Sequence, residues 1–263
     1  MTPLRVGILG TGYMGRLHAR NLRTFPDVAL TACCARTQEQ AADFSREETA
    51  GQAVAYADFS HMLHESPLDA LYICLPPFAH TGQTEQAAAA GLHLFLEKPL
   101  ALTEAHAATM VAAIERAGVV SQVGYHQRFG AAVERARAMI VDGMAGRPTL
   151  FQASYECNAL HSAWWRDQTR SGGQVFEQVI HQYDLAHFFL GPAQLVTGFV
   201  DNLCHRQYAD YTVDDTSVAA IRFTSGAMAS IIGSNCAVPM EWRSAFHLIC
   251  ERLTVHFTSP NDA

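Results

Sequence analysis

The apolar run Leu4 to Leu9 breaks off at Gly10-Thr11-Gly12-Tyr13-Met14-Gly15, and a helical pattern opens inside that break and runs to about Thr24. This spacing restricts the chain more than any other feature in it. A strand that turns straight into a helix needs one glycine for the tight turn. It needs a second where the backbone must approach something from outside, and a third where helix packs on strand. Placed at the head of a strand–helix rhythm, the three glycines point to a dinucleotide whose pyrophosphate sits against the positive end of the helix.

The rhythm continues for about 120 residues. Val28 to Cys34, Ala53 to Tyr56, Leu68 to Leu75, Leu92 to Leu96 and Val119 to Gly124 read as strands. Gln38 to Glu48, Ser60 to Glu65, Thr81 to Ala90 and Thr103 to Ala117 read as helices between them. Continuous apolar strands separated by helices imply a parallel sheet covered on both faces. After Tyr125 the pattern changes to a helix at 131–142, a strand at 149–157 and a helix from Gln174 to Leu190. Alternating segments at 196–203, 214–223, 227–235 and 245–257 suggest an antiparallel sheet. The expected class is α/β: a doubly wound parallel Rossmann domain over residues 1–124, then an α+β domain with a mostly antiparallel sheet over 125–263.

Composition removes several function classes. Hydrophobic residues make up 49% of the 263 and charged residues 16%, enough for packed cores and against disorder. Twenty-five acidic side chains against 18 basic ones give a net charge of −7, and no Lys/Arg cluster offers a nucleic acid a phosphate-binding surface. No apolar run approaches the ~18 residues of a membrane span, and Met1-Thr2-Pro3-Leu4-Arg5-Val6 lacks the order of a secretory signal. The seven cysteines are odd in number, form no Cys-x-x-Cys pair and lie partly in apolar runs. Free thiols in a reducing cytoplasm are expected, and with no ligand spacing among cysteines and histidines, no metal.

The end of the second strand normally carries the residue that reads the adenosine ribose, an acid for a free 2′-hydroxyl and a cation for a 2′-phosphate. Here the chain reads Cys33-Cys34-Ala35-Arg36-Thr37, without an acid at the tip. Arg36 can stack on adenine and pair with phosphate, and Thr37 can add a donor, so NADP is expected to be preferred over NAD. The alternative is that Arg36 is simply exposed and Thr37 caps the next helix.

Three further segments bear chemistry: Pro76-Pro77-Phe78-Ala79-His80, Leu96-Glu97-Lys98-Pro99, and Gly172-Gly173-Gln174-Val175-Phe176-Glu177-Gln178-Val179-Ile180-His181-Gln182-Tyr183-Asp184. With the glycine loop they closely resemble the Gfo/Idh/MocA family, named for glucose–fructose oxidoreductase and inositol dehydrogenase, over essentially the whole chain. The resemblance implies a Rossmann domain followed by a domain with an open-faced sheet. It also implies NAD(P)-dependent oxidation or reduction of sugars, polyols or related hydroxy compounds. The cofactor set it suggests is Gly10, Gly12, Tyr13, Met14, Gly15, Arg36, Thr37, Leu75, Pro76, Pro77, His80, Glu97 and Lys98. Relatives often pair through the exposed faces of their second sheets, so a homodimer or homotetramer is expected. Typical relatives also continue for several tens of residues past the position of Ala263; the chain is either a short member or one lacking its tail.

Carbonyl–alcohol interconversion needs a hydride partner and a proton relay at the substrate oxygen. Lys98, at the carboxyl end of a parallel strand, suits stabilisation of an alkoxide, with Glu97 orienting it or reaching the cofactor. His181 suits proton transfer because imidazole titrates near neutrality. Glu177 stands four residues before it and Asp184 three after, which on a helix puts them near one face, where a carboxylate fixes the imidazole tautomer or holds its cation. Many family members carry Asp at the place of Glu177. On the substrate side, the resemblance points to Tyr125, Arg128 and Phe129 after the last Rossmann strand. Trp164, Trp165 and Arg166 suit a sugar face and its hydroxyls, and equally a core or interface. The nicotinamide is expected between Lys98 and His181, each delivered by a different domain. Two alternatives stay open: glycosidase-type chemistry with internal cofactor cycling, and a non-catalytic dinucleotide-sensing regulator.

Overall fold

A computed structural model describes residues 2–263. Contacts between Cα atoms divide the chain into Met1–Gly124 and Tyr125–Ala263.

The first unit runs β1 (Leu4–Leu9), α1 (Tyr13–Leu22), β2 (Val28–Cys34), α2 (Gln38–Thr49), β3 (Val54–Tyr56), α3 (Phe59–Glu65), β4 (Ala70–Ile73), α4 (Gln83–Ala89), β5 (His93–Leu96), α5 (Glu104–Ala117) and β6 (Ser121–Val123). Its sheet has the order β3-β2-β1-β4-β5-β6 with every pairing parallel. Strand order reverses between β1 and β4, and the crevice outside the carboxyl ends at such a switch point is where open sheets bind ligands. Both sheet faces are covered. Val6 and Ile8 pack with Ala19, Leu22 and Phe44, while Leu71, Ile73, Leu94 and Leu96 pack with Met62, Ala87, Ala88 and Ile114. Side chains of Thr37, Asp58 and Thr103 cap α2, α3 and α5. The apolar run 68–75 forms only four strand residues, Ala70–Ile73; beyond them Cys74 N–H still bonds Leu9 O, and the chain then leads into a 3-10 turn at Pro77–Ala79.

The second unit opens with a 3-10 turn, His126–Phe129, and continues with α6 (Ala131–Val141), β7 (Pro148–Glu156), α7 (Gln168–Ser171), a π-helical turn (Val175–Val179) and α8 (Ile180–Leu190). Five strands complete it: β8 (Ala193–Asp201), β9 (Thr216–Phe223), β10 (Met228–Ser234), β11 (Arg243–Cys250) and β12 (Thr254–Phe257). The sheet order is β12-β11-β7-β10-β9-β8, antiparallel except between β7 and β10. Leu185, Ala186 and Phe189 of α8, with Val133 and Ala136 of α6, pack on Phe151, Ile221, Ile231, Phe246 and Leu248 of one sheet face. The other face leaves Val218, Met228 and Ile232 exposed, and all nine residues of β8 are exposed, Phe199 at 86%.

Two expectations need correction. The segment 245–257 is a hairpin of two strands, since Cys250 N–H bonds Leu253 O and the polar pair Glu251-Arg252 turns the chain. The helix expected from Gln174 begins instead with the π turn. Among the described residues, no helix is long and apolar enough to cross a membrane.

Candidate active site

In the first unit the glycine loop divides by function. Gly10 has φ +98°, and a Cβ there would stand 2.5 Å from the Cys74 carbonyl oxygen. A Cβ on Gly15 would stand 2.0 Å from the Gly10 carbonyl oxygen. These two positions are closed by the protein itself. Gly12 is different: nothing lies within 4 Å of its notional Cβ. Gly12 is also the N-cap of α1, which has no side-chain cap and no acid in its first turn. A helix N-terminus left this way presents amide donors and partial positive charge to open space. The residues present therefore fit a dinucleotide pyrophosphate. Tyr13, 81% exposed, and the half-buried Met14 flank the cradle on the first turn.

At the tip of β2, Arg36 and Thr37 are both exposed. The Thr37 hydroxyl oxygen accepts from Gln40 N–H at 3.2 Å, capping α2, so its proton remains free for donation. Burial pushes the Cys33 thiol up to about 12 and the Cys34 thiol up to about 11, leaving both neutral. Leu75 and Pro76 are half-buried, Pro77 and His80 buried; burial holds the His80 imidazole below its ordinary value, neutral at pH 7.

Glu97 is only 5% exposed and turns inward. Its Oε1 lies 2.7 Å from His18 Nε2, and its Oε2 accepts from Lys98 N–H at 3.1 Å. A Cβ on Gly124 would come within 3.2 Å of both carboxylate oxygens. The carboxylate thus fixes the backbone that presents Lys98, itself half-buried and followed by a cis peptide to Pro99. His18 was not foreseen: its pairing with Glu97 depends on where α1 lies over the sheet, a relation between residues 79 apart that no local pattern carries.

In the second unit the Gly172-Gly173 pair has a structural cause. Gly172, at φ +81°, ends α7; Gly173, at φ +96°, would drive a Cβ to 2.1 Å from Asp214 Oδ1. The Asp214 carboxylate accepts from Gln174 N–H at 3.0 Å and Val175 N–H at 3.1 Å, fastening the start of the π turn. Burial raises this carboxyl above its ordinary range, and the same backbone bonds oppose that rise. Replacing Asp214 with alanine is expected to leave the two amides unpaired and to lower unfolding free energy by about 2–3 kcal/mol, read by urea denaturation.

Past that anchor the π turn changes which neighbours the helix meets. A π turn takes more residues than the 3.6 of an α turn, so the backbone between Glu177 and His181 is not that of a regular α-helix. Glu177 Oε2 accepts from the indole N–H of Trp165 at 2.9 Å. His181, 6% exposed, meets Tyr125 edge-on with ring centroids 6.3 Å apart, and His126 with centroids 4.6 Å apart. The 3-10 turn and α8 form a ladder: His126 against His181, Gln127 accepting from Gln182 at 3.3 Å, and Arg128 donating twice to Asp184 at 2.7 and 2.5 Å. The Arg128 guanidinium also lies over Phe188 at 5.0 Å and Tyr125 at 5.9 Å. Burial raises the Tyr125 phenol, which stays neutral. His126 and Gln127 were missed; their only sequence signal is position, directly beside Tyr125 and Arg128.

Trp165 is 3% exposed, packs with Tyr211 and Val213, and stacks on His161 at 4.1 Å. Arg166 pairs with Asp210 at 2.7 Å, and Phe129 is exposed. The thiols of Cys204 and Cys236 come within 4.8 Å of each other and of an Asp215 oxygen, a grouping absent from the chain spacing. The Asp215 carboxylate, however, already accepts from the amides of Leu203, Cys204 and His205, from His205 Nδ1 and from the Thr216 hydroxyl. Those donors occupy its lone pairs and make it the anchor of the 202–205 turn.

Comparisons with known proteins agree with both units. Residues 4–125 match the model of an oxidoreductase family with an NAD-binding Rossmann fold, and residues 133–257 match the GFO/IDH/MocA C-terminal domain. Myo-inositol 2-dehydrogenase of Thermotoga maritima is 28% identical over 238 residues, 89% of this chain and 70% of that protein. The NAD(+)-dependent scyllo-inositol 2-dehydrogenase of Bacillus subtilis is 29% identical over 241 residues, 88% of this chain and 67% of that one. Among solved structures, GenD2 from gentamicin A biosynthesis, in complex with NAD, has a TM-score of 0.87 at 25% identity, covering 98% of this chain and 72% of that one. With a Rossmann unit whose glycine cradle is open at Gly12 and a second unit matching along nearly its full length, the chain belongs to the Gfo/Idh/MocA family of oxidoreductases.

Proposed function

We propose that this chain is an NAD(P)-dependent dehydrogenase or reductase acting on a CH–OH group of a sugar, polyol or related small molecule. The observation that carries the reading is the cradle at Gly12, open on the protein side and backed by an uncapped helix N-terminus. The inositol dehydrogenases among its relatives support the substrate class. The bound nicotinamide supplies the hydride acceptor or donor. His181 accepts the hydroxyl proton during oxidation and returns it during reduction; a buried imidazole suits both directions. Lys98 serves as the cation that stabilises the oxyanion, on a backbone locked by Glu97. Glu177 adds a carboxylate one turn before His181, held by Trp165. Tyr125, Arg128 and Asp184 shape the substrate side of His181, while Trp165 and Arg166 support that wall from behind. Turnover of a polyol and sugar panel, followed at the reduced-nicotinamide absorbance band, tests the reading. Product without net absorbance change would indicate internal cofactor cycling, and dinucleotide binding without turnover would indicate a sensor.

The same reading extends to cofactor, assembly and compartment. NADP is preferred over NAD, because the β2 tip offers exposed Arg36 and Thr37 and no acid. NADPH is expected to bind about tenfold tighter than NADH, with the difference lost in Arg36→Ala; NADH binding tenfold tighter would reverse the assignment. The exposed apolar residues of β8, β9 and β10 suit pairing into a homodimer or homotetramer. Free thiols at all seven cysteines suit a cytoplasmic location.

A further inference from the structure

We propose that His126 is a positioning residue for His181: the two imidazoles hold one proton between them, and a proton on His126 keeps His181 in its neutral, proton-accepting form. The inference rests on the reading of His181 as the proton acceptor and adds a second histidine that tunes it.

The rings stand 4.6 Å apart, centroid to centroid, at 66°, so that the edge of one meets the face of the other. Two like charges at that separation disfavour each other, and the doubly protonated pair is the state that suffers. The two rings differ in solvation. His126 is exposed, whereas His181 is 6% exposed. Water stabilises a charge on His126, and burial penalises one on His181, so the first proton goes to His126. A second proton on His181 must then overcome both its own burial and the neighbouring cation.

The other ionisable groups on the elements around α8 do not reproduce this effect. On the 3-10 turn, Arg128 is neutralised by its two bonds to Asp184 of α8. Tyr125, just before that turn, and Tyr155 of β7 are phenols raised by burial and stay neutral. Glu156 of β7 and Glu177 of the π turn are carboxylates and act in the opposite sense, favouring a proton on His181; Glu177 is engaged by the Trp165 indole. On α8 itself, Tyr183 is a phenol raised by burial and stays neutral, and His187 lies further along the helix; Arg137 of α6 is a fixed cation seated over Phe188 at 5.3 Å, and β10 carries no ionisable side chain. Of these groups, His126 is the one whose ring meets that of His181 and whose own protonation opposes that of His181.

The consequence for chemistry is an oxidation step that tolerates mild acid. Where a lone imidazole base would become protonated and idle, the pair loads His126 first and leaves the His181 lone pair available.

The test is an NMR titration of the histidine ring protons in the full chain, without substrate or cofactor. Wild type is compared with His126→Phe, which keeps a ring that cannot titrate, and with His126→Gln, which keeps a polar group; loss of a signal in His181→Gln assigns His181. The His181 midpoint is expected about half a pH unit or more higher in both His126 variants than in wild type. Identical midpoints in wild type and both variants would overturn the pairing. Turnover of His181→Gln is measured separately. Retained kcat there removes His181 from the chemistry, and with it the positioning role, whereas lost kcat with identical midpoints removes only the role of His126.

Discussion

Gly12→Val is expected to raise the Kd for dinucleotide at least a hundredfold, a loss of about 2.7 kcal/mol, while Tm stays within about 2 °C of wild type. The two halves of that result come from one fact. Nothing in the protein lies within 4 Å of a Cβ at Gly12, so the substitution starts in open space and the small expected loss of stability is that of a poorer N-cap. That space is where a phosphate must approach the amides at the head of α1. Gly15→Ala is the contrasting variant. Its Cβ would stand 2.0 Å from the Gly10 carbonyl oxygen, which is backbone and cannot rotate away. Overpacking of this kind lowers stability by about 1–3 kcal/mol, so Gly15→Ala is expected to lose Tm as well as binding. Isothermal titration with each dinucleotide and a thermal melt separate the two. Unchanged affinity in Gly12→Val would remove the pyrophosphate from that cradle.

His181→Asn is expected to lower kcat by about 10²–10⁴, the range for removing a positioned acid–base group, with dinucleotide Kd within about twofold of wild type. Asparagine retains polarity and nearly the ring's reach but cannot carry the proton. Lys98→Met should also lower kcat steeply, since the oxyanion loses its cation. The two variants differ in pH response: loss of the histidine flattens the acid limb of the rate profile, and loss of the lysine leaves it. A substrate found in the panel screen makes both measurements direct, and undiminished kcat in either variant takes that residue out of the chemistry.

The first unit was legible almost entirely from the chain because its signals are local. Strand, glycine turn and helix follow one another within about twenty residues, and that succession implies a parallel sheet; the order β3-β2-β1-β4-β5-β6 is read from the structure. Strand ends were read too long where apolar residues such as Leu75 pack in loops instead of the sheet. The second unit was legible in its alternation but not in its details. The hairpin at Glu251-Arg252 lacks Gly, Asn or Pro, so nothing marked the reversal. The π turn has no mark in the local pattern, and the bonds that fasten its start, from the amides of Gln174 and Val175, go to Asp214 some forty residues on. The pattern around Trp165 fits a sugar face and a core or interface equally, because the bond from its indole to Glu177 spans twelve residues and leaves no periodic trace. Pairings such as His18 with Glu97 and His126 with His181 join residues 79 and 55 positions apart, as their numbers give, and periodicity carries no information over such spans.

The strand β8 has a colloidal consequence. Its side chains Leu195, Val196, Phe199 and Val200 are exposed on a single chain of net charge −7. Attraction between such greasy strips changes little with dissolved ions, but repulsion between two like-charged molecules fades as the Debye length shortens, to about 10 Å at 0.1 M salt. Raising ionic strength should therefore draw chains of this protein together, with light scattering increasing from dilute buffer upward.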